Sequence, residues 1–403
     1  MRIKKIIYFM EATLCQRDLE RYGIGIMKDN GFCVEIWDFT PFISPETHNT
    51  VKVPDPIDYQ KNNCRLFIEK AKVIQEIKNL KQDTMIICIM FFDYEHYFLY
   101  RELSKQNILF SFIITNTNPI FKNNSVGNHF YNKYWPTNFV SKIKKLNLEK
   151  IKKYIFYRAP SSLLMIQFPE FIFAGGYTSI INYKFPIGKK TKIIWCHTLD
   201  YDLYLKDLRK PSNIKFKDED YIVFCDEYTP FHPEYIRRNI KYPITPEIYY
   251  PTICKFFHNV EKETGLKVVI AAHPRSKYEE HPDYFDGRKV IRGKTLELVR
   301  DSKFVLMHGS TSLNFAVLYN KPVIFLYMVK MRLPSHLGNH VRVFSSALNK
   351  GFITIDSDYK IDWDKELKID EEAYANYKEK YIKRRNSKEE FFWQIVADEI
   401  KKL

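Results

Sequence analysis

The chain lacks any long apolar run and any paired cysteine motif, and both absences limit its class. No stretch approaches the roughly 18 apolar residues of a membrane-spanning helix, so any membrane association is expected to be peripheral. The 7 cysteines are scattered without a CxxC pair, and several lie in apolar runs, as Cys88 and Cys225 do. This pattern predicts reduced core thiols in a cytosolic protein, with neither disulfides nor a zinc site.

Several well-known phosphate-binding and catalytic motifs are also absent. The chain has no GxxxxGK followed by Ser or Thr, no GxGxxG after a strand and no GxSxG. These absences exclude the P-loop NTPases, the usual dinucleotide-binding fingerprint and the nucleophile elbow of α/β-hydrolases. There is no internal repeat and no low-complexity linker.

Composition bounds the size of the fold and the charge of its partners. With 403 residues, 45% of them hydrophobic and 28% charged, the chain is long enough for two or three globular domains. The net charge of +15 suits an anionic partner such as a nucleotide-sugar, a phospholipid surface or nucleic acid, although a general richness in Lys explains it equally well. Basic residues are dense only at 141–158, which predicts an amphipathic surface helix with membrane contact as the alternative. Since nucleic-acid binding needs base-stacking aromatic residues clustered among Lys and Arg, and the basic residues elsewhere in the chain are spread out, no nucleic acid is expected as partner.

Strand-like and helix-like segments alternate along the chain, which predicts an α/β fold. A first series runs from a strand at 4–9, through helices at 18–30, 61–80 and 94–106, to a strand at 192–196. A second series begins near Tyr221 and closes with a strand at 322–326. The prediction is two Rossmann-like domains facing a cleft, at 1–205 and 215–380, and a C-terminal helix at 381–403 that packs back on the first domain.

Two apolar runs in the second half each end in polar residues that suit a phosphate. The Val268–Ala272 run is followed by His273-Pro274-Arg275, and the Phe304–Met307 run by His308-Gly309-Ser310-Thr311-Ser312. Ligands bind at the carboxyl ends of strands in open α/β sheets, so two such loops on neighbouring strands are predicted to close on one anion.

The residue types in these loops explain why a phosphate is expected. Gly309 allows close backbone approach, and the three hydroxyls that follow it can contact a ligand at a helix N-terminus. The imidazole of His273 can donate to a phosphate oxygen, and Arg275 adds a fork of donors. The alternatives are an ordinary helix cap and a strand-end histidine held by its own loop.

Two further segments are candidates for acid–base chemistry. Asp226-Glu227 follows an apolar strand, where a carboxylate can take a proton from an acceptor hydroxyl, although a salt-bridged carboxylate is nearly as plausible. His197 and Asp200 follow the strand that ends the first series and compete for this role. Their spacing matches no standard metal pattern, so no metal is predicted. Glu11, after the first strand, is an acceptor-side candidate for which a plain surface position is preferred.

With these residues assembled, the second half resembles the nucleotide-binding half of bacterial GT-B-type glycosyltransferases, and most of all the sialyltransferase-like enzymes that use CMP-activated sugars. The matching motifs, all within roughly 220–330, are Asp226-Glu227, His273-Pro274 and Ser310-Thr311-Ser312. By this resemblance His273 and the Ser/Thr residues hold the phosphate of CMP, and the acidic motif holds the general base. In that family the acidic motif usually ends in Gly and lies in the first domain, whereas here Tyr228 follows it and the motif opens the second half.

The resemblance implies a metal-independent glycosyltransferase that needs no cofactor beyond its donor. It would transfer sialic acid or another nonulosonate from a CMP donor to a glycan or glycolipid hydroxyl, in bacterial surface polysaccharide or lipooligosaccharide synthesis. The first domain would bind the acceptor and the second the nucleotide-sugar, in the cytoplasm or on the inner face of the cell membrane. The motifs are also similar to those of polymerases that transfer glycerol phosphate from CDP-glycerol, a close alternative. A nucleic-acid-binding protein is the remaining alternative.

Overall fold

The computed structural model of the chain describes residues 2–115 except 51, 54 and 91, parts of 118–181, 186–209, 220–331 except 233, 234 and 236–240, and 340–403. Within 118–181 the described residues are 118–119, 151–153, 155–156, 159 and 161–181, so most of the basic 141–158 segment lies outside them. The chain forms two compact units. Unit 1 comprises Met1–Thr117, Phe121–His197 and Asn386–Leu403, and unit 2 comprises Asn118–Ile120 and Thr198–Arg385.

Unit 1 is built on a parallel sheet of seven strands. They are β1 (Lys5–Met10), β2 (Cys33–Asp38), β3 (Cys64–Leu66), β4 (Thr84–Cys88), β5 (Leu109–Ile114), β6 (Phe171–Ala174) and β7 (Lys192–Trp195). Their order is β3-β2-β1-β4-β5-β6-β7, so the direction of chain progress reverses between β1 and β4. The inner strands are buried along their length, which explains their nearly continuous apolar sequence.

The helices of unit 1 differ from the predicted ones in two places. Those described with both bounds before residue 110 are α1 (Gln16–Arg21), α2 (Ile24–Asp29), α3 (Thr40–Ile43), α4 (Pro45–Thr50), α5 (Lys70–Lys78) and α6 (Tyr97–Lys105). The predicted helix at 18–30 is broken at Gly23, which adopts φ 57°. The predicted helix at 61–80 is wrong in its first half, because Cys64–Leu66 pairs with β2 as the edge strand β3.

Unit 2 contains a second parallel sheet, of six strands. They are β8 (Tyr221–Cys225), β9 (Lys267–Ala272), β10 (Val290–Arg292), β11 (Val305–Met307), β12 (Val323–Tyr327) and β13 (Ile353–Thr354), in the order β10-β9-β8-β11-β12-β13. The α-helices among its described residues are α7 (Leu199–Arg209), α8 (Pro246–Thr264), α9 (Thr295–Asp301), α10 (Leu313–Leu318), α11 (His340–Ala347), α12 (Trp363–Glu366) and α13 (Glu371–Tyr377). The longest, α8, starts with Pro246 and ends at Gly265 with φ 72°, the usual placement of these two residues.

Two parallel α/β sheets confirm the predicted two-Rossmann-like fold class. The observed division falls at His197–Thr198 rather than at 205, so α7 lies in unit 2. Its residue Asp207 explains this, because the carboxylate accepts hydrogen bonds from Arg300 and Tyr319 of the same unit.

The C-terminal residues return to unit 1 as α14 (Phe392–Ile400). The buried Trp393 ring lies 5.3 Å from Tyr8 between ring centres, and its indole N–H donates to the Arg21 carbonyl at 2.8 Å. Among the described residues, no helix has the length and apolarity needed to cross a membrane.

Candidate functional site

The loops that follow β8, β9 and β11 start at the same level of one sheet edge. β8 lies between the other two strands, and Cys225 is in register with both Ala271 and Met307. The predicted adjacency of β9 and β11 is therefore wrong, since β8 separates them. The strand order reverses between β8 and β11, so the three loops lie at the switch point where open α/β sheets bind ligands.

Asp226, the first residue after β8, accepts hydrogen bonds from the loop after β9 and holds it in place. Its carboxylate accepts from the N–H of Tyr228 at 2.9 Å, the N–H of His273 at 3.2 Å and the hydroxyl of Tyr278 at 2.9 Å. Burial raises the pKa of Asp226 to about 6, against the lowering effect of these hydrogen bonds. With 5% exposure and three donors bound, this carboxylate supports the loop and is poorly placed to take a proton from an acceptor.

Glu227, the next residue, holds the loop after β11 in place in the same way. Its carboxylate accepts a hydrogen bond from the backbone N–H of Gly309. Burial raises the pKa of Glu227 to about 7; the Gly309 hydrogen bond opposes this shift and the neighbouring Asp226 adds to it. One acidic dipeptide thus holds the loops on both sides of the central strand.

Tyr228 has the backbone conformation that usually requires glycine. Its φ of 54° and ψ of 37° are left-handed, which costs a residue with a Cβ about 1–2 kcal/mol. In this conformation its N–H reaches Asp226, and its ring lies parallel to that of His273 with 6.3 Å between centres. Tyr228 therefore adopts, in this turn, a conformation that glycine adopts without strain.

The loop after β9 presents hydrogen-bond donors. The Nδ1 of His273 accepts the N–H of Arg275 at 3.2 Å, so the neutral ring carries its proton on Nε2 and can donate from there. Pro274, between them, fixes the backbone of this turn. Within the part of the chain that the structure describes, the half-buried Arg275 guanidinium makes no hydrogen bond or ion pair.

The loop after β11 divides into a core residue and a polar tract. His308 is buried: its Nδ1–H donates to the Leu326 carbonyl at 2.7 Å, and its Nε2 accepts from the Tyr249 hydroxyl at 3.0 Å. Burial lowers the pKa of His308 to about 4, so the ring is neutral. With both nitrogens engaged, His308 supports the fold, contrary to its predicted contact with phosphate.

The polar tract itself remains half-buried at the sheet edge. The hydroxyl of Ser310 accepts the N–H of Ser312 at 3.2 Å and lies 3.3 Å from the Ser312 hydroxyl, with Thr311 between them. A Cβ added to Gly309 would lie 3.1 Å from His340 Nδ1, a tight contact that requires the histidine ring to shift by a few tenths of an ångström. Because α10 has only six residues, we attribute the tract's capacity to its hydroxyl groups and not to a helix dipole.

His197 and Asp200 take part in packing. His197 is buried in unit 1, where its Nε2 donates to the Glu390 carbonyl at 2.8 Å. Asp200 is buried in the first turn of α7 and accepts from the side chain of Asn314 at 3.0 Å. These contacts argue against the catalytic roles predicted for both. Among the described residues, no group of three or more His, Cys, Asp or Glu side chains is arranged to hold a metal ion.

No pattern in the sequence indicates the tyrosines that support the acidic dipeptide. Tyr278 donates to Asp226, and Tyr250 reaches the Tyr278 hydroxyl at 3.3 Å. Tyr249 holds the ring of His308. Aromatic residues at these positions are read as core from the sequence, because their apolar rings dominate the pattern.

Comparisons with known proteins add little to this geometry. No family model matches the chain, and no curated protein matches it. Among solved structures, the MnaA–UDP complex of S. aureus is similar at 14% identity, over 98% of this chain and 95% of that chain, with a TM-score of 0.49. MurG of Acinetobacter baumannii is similar at 9% identity, over 99% and 100%, with a TM-score of 0.46. The wall teichoic acid polymerase TagF is similar at 12%, over 99% and 88%, with a TM-score of 0.48. These distant similarities assign neither a family nor an activity.

Proposed function

We propose that the chain is a metal-independent glycosyltransferase whose unit 2 binds a nucleotide-activated sugar at the loops after β9 and β11. In the finer form of the proposal, the donor is CMP-linked sialic acid or another nonulosonate. The acceptor is a hydroxyl of a bacterial surface glycan or glycolipid, modified in the cytoplasm or on the inner face of the membrane. The choice of CMP rests on the His273-Pro274 and Ser310–Ser312 motifs.

One observation carries the proposal: donors that suit a phosphate are held at one sheet edge by the Asp226-Glu227 dipeptide. The donors are the His273 ring, the Arg275 guanidinium and the hydroxyls of the Ser310–Ser312 tract. An ionised carboxylate beside a phosphate would weaken binding. The pKa of Glu227 is raised to about 7, so this group is partly protonated near neutral pH and repels a phosphate less. Asp226, with a pKa of about 6, is mostly ionised there, and its charge is directed to its three hydrogen-bond donors.

These donor groups would stabilise a leaving phosphate. The oxygen of the acceptor hydroxyl forms a bond to the anomeric carbon, and the hydroxyl proton is released to solvent. The bond from that carbon to the phosphate oxygen breaks, and CMP leaves with the electron pair. Negative charge grows on the phosphate as the bond breaks. Fixed donors such as His273 Nε2–H and Arg275 then bind the transition state more tightly than the ground state.

A nucleotide-binding screen tests the donor site directly. We expect CMP to raise the melting temperature more than CDP, UDP, GDP or dTDP at the same concentration, because the ligand with the lowest Kd stabilises the native state most. A ligand at 100 times its Kd stabilises the native state by about 2.7 kcal/mol. Arg275→Ala should weaken CMP binding. Arg342→Ala, which removes an exposed arginine of α11 in the same unit, is the matched control. Equal affinities in the two variants, or no shift with any nucleotide, would contradict the proposal.

The same screen separates the alternatives. Preferential binding of CDP and CDP-glycerol would move the assignment to a glycerophosphotransferase, which uses the same kind of phosphate site. Oligonucleotide binding that weakens steeply with salt, without binding of any mononucleotide, would indicate a nucleic-acid-binding protein.

A further inference from the structure

The aromatic ring of Tyr228 lies next to the donor loops of unit 2. The residue follows Asp226-Glu227 after β8, at the sheet edge where the loops after β9 and β11 also start. Its ring is half-buried and lies parallel to that of His273, with 8° between the ring planes and 6.3 Å between the ring centres. The tyrosine ring therefore has the same orientation as a residue of the proposed phosphate site and lies beside it.

The backbone of this turn does not need a tyrosine. The hydrogen bond to Asp226 uses the N–H of Tyr228, which any residue other than proline would supply. At φ 54° and ψ 37°, a glycine would avoid the strain that a Cβ causes. Since strained residues persist where their surroundings or a function require them, the reason for the tyrosine lies in its ring.

Packing accounts for only part of the surroundings of this ring. It contacts Phe231, tilted by 44° with 5.2 Å between ring centres, and Tyr278, at 85° and 5.5 Å. Tyr278 is buried, so the core encloses this side of the Tyr228 ring, whereas the residue as a whole remains partly exposed. An aromatic ring that is packed on one side and partly exposed on the other offers a fixed, flat surface to a planar ligand.

The ligand that fits this surface is a planar ring joined to a phosphate. Every nucleobase has a π-face, and stacking on an aromatic side chain is a usual way for a protein to hold it. A base and its 5′-phosphate are linked through several covalent bonds of about 1.5 Å each. One nucleotide can therefore place its base on Tyr228 and its phosphate at His273. Burial raises the pKa of Tyr228, so the neutral phenol adds no charge that would repel the phosphate.

We propose that the ring of Tyr228 holds the pyrimidine base of the donor nucleotide by stacking. The inference rests on the proposed function and adds a base subsite to the phosphate site within the same unit. Asp226 and Glu227 then hold the neighbouring loops, and the residue that follows them contacts the ligand. Because every base has a flat face, this subsite strengthens nucleotide binding without selecting cytosine over uracil.

Removal of the ring should weaken binding of the base and leave binding of the phosphate unchanged. Tyr228→Gly should raise the Kd for CMP by about 5–150-fold, the usual effect of losing one base–aromatic stack. Its Kd for ribose 5-phosphate, which has no base, should stay close to that of the wild type. Tyr228→Phe keeps the flat ring and should bind CMP nearly as the wild type does. Isothermal titration calorimetry gives these Kd values, with CDP and UDP as further pyrimidine nucleotides.

The matched control makes the same backbone change at the opposite edge of the sheet. Asn320 is exposed, has φ 52° and lies in the turn before β12. Asn320→Gly relieves the same kind of left-handed strain without removing an aromatic ring, so it should bind CMP as the wild type does. The melting temperature of each variant without ligand shows that it is folded. A loss of affinity that occurs only in Tyr228→Gly is then due to the ring.

A spectroscopic measurement separates stacking from a displaced loop. The H5 and H6 signals of the cytosine in CMP should move upfield on binding to the wild type and to Tyr228→Phe, because a stacked base lies in the shielding region of the aromatic ring. At saturating CMP, Tyr228→Gly should lose this shift. A shift of the same size in all three proteins would place the base away from Tyr228.

The outcomes distinguish this inference from the proposed function. If the wild type binds CMP and Tyr228→Gly binds it with equal affinity, the base subsite is overturned and the phosphate site stands. Equal weakening of CMP and ribose 5-phosphate in Tyr228→Gly would assign the residue to support of the loop and would also overturn the subsite. If the wild type binds none of CMP, CDP and UDP, the proposed function fails and this inference fails with it.

Discussion

The backbone N–H of Gly309 donates to the carboxylate of Glu227, which joins the loop after β11 to the end of β8. The preceding residue, Asp226, accepts the N–H of His273 at 3.2 Å and joins the loop after β9 to the same point. Successive residues of an extended chain point to opposite sides, so one dipeptide can reach both neighbouring loops. The two carboxylates are therefore best understood as residues that position the donor groups.

Replacing His273 should remove one donor to the leaving phosphate. We expect His273→Ala to lower turnover by about 10²-fold or more, the scale of losing one preorganised donor. The control is His281→Ala, which alters another His-Pro sequence, where the exposed ring stacks on Tyr284 at 4.6 Å. Single-turnover nucleotide release measures both. Near-normal turnover of His273→Ala would remove this residue from the site.

Nucleotide binding should take up a proton at Glu227. Burial raises the pKa of this group to about 7, and an added phosphate would favour the protonated form further. Affinity for CMP should therefore fall as pH rises from 6 to 8, within about one unit of that pKa. Glu227→Gln, which stays neutral, should bind CMP with a weaker pH dependence. Calorimetry in buffers of different ionisation enthalpy would show the proton uptake, and identical pH profiles for the two proteins would rule it out.

The strands β8, β9, β11 and β12 of unit 2 could be predicted because each is a short apolar run bounded by polar residues, whereas β13, with two residues, was not predicted. The Lys267–Ala272 strand and the polar His273–Arg275 after it were visible in the sequence for this reason. The placement of β8 between β9 and β11 was not visible, because strand order depends on pairing between distant segments. For the same reason, the contact of Glu11 with His96, which are 85 positions apart, could not be predicted from the sequence.

The burial of individual polar residues was the other feature that could not be predicted from the sequence. His308 follows an apolar strand as His273 does, and the sequence predicted phosphate contact for both. Only the fold shows that Leu326 and Tyr249 enclose the His308 ring. The edge strand Cys64–Leu66 could not be predicted for another reason. It has three residues, which is too short for the alternating pattern of a strand to be recognised within a segment whose pattern favours a helix.

His308 should make unit 2 sensitive to acid. Burial lowers its pKa from 6.5 to about 4, so below pH 6.5 the unfolded chain binds a proton that the folded state resists. The stability that depends on the neutral ring is present above pH 6.5 and is lost as pH falls towards 4. Urea unfolding should show a larger loss in this window for the wild type than for His308→Gln. His258→Gln, an exposed histidine of α8, should follow the wild type, and parallel curves for all three proteins would contradict the assignment.

The packing of α14 on unit 1 should depend on one glycine. Gly23 has φ 57°, and a Cβ there would lie 2.1 Å from the ring of Trp393. Gly23→Ala combines left-handed strain with overpacking and should destabilise unit 1 by about 2–5 kcal/mol. Gly25→Ala is the matched control: Gly25 lies inside α2, which Gly23 precedes, with nothing within 4 Å of its Cβ, and the substitution should stabilise α2 by up to about 1 kcal/mol. Urea unfolding followed by tryptophan fluorescence compares the two variants. Opposite signs are expected, because the same substitution meets a buried indole ring at one position and open space at the other.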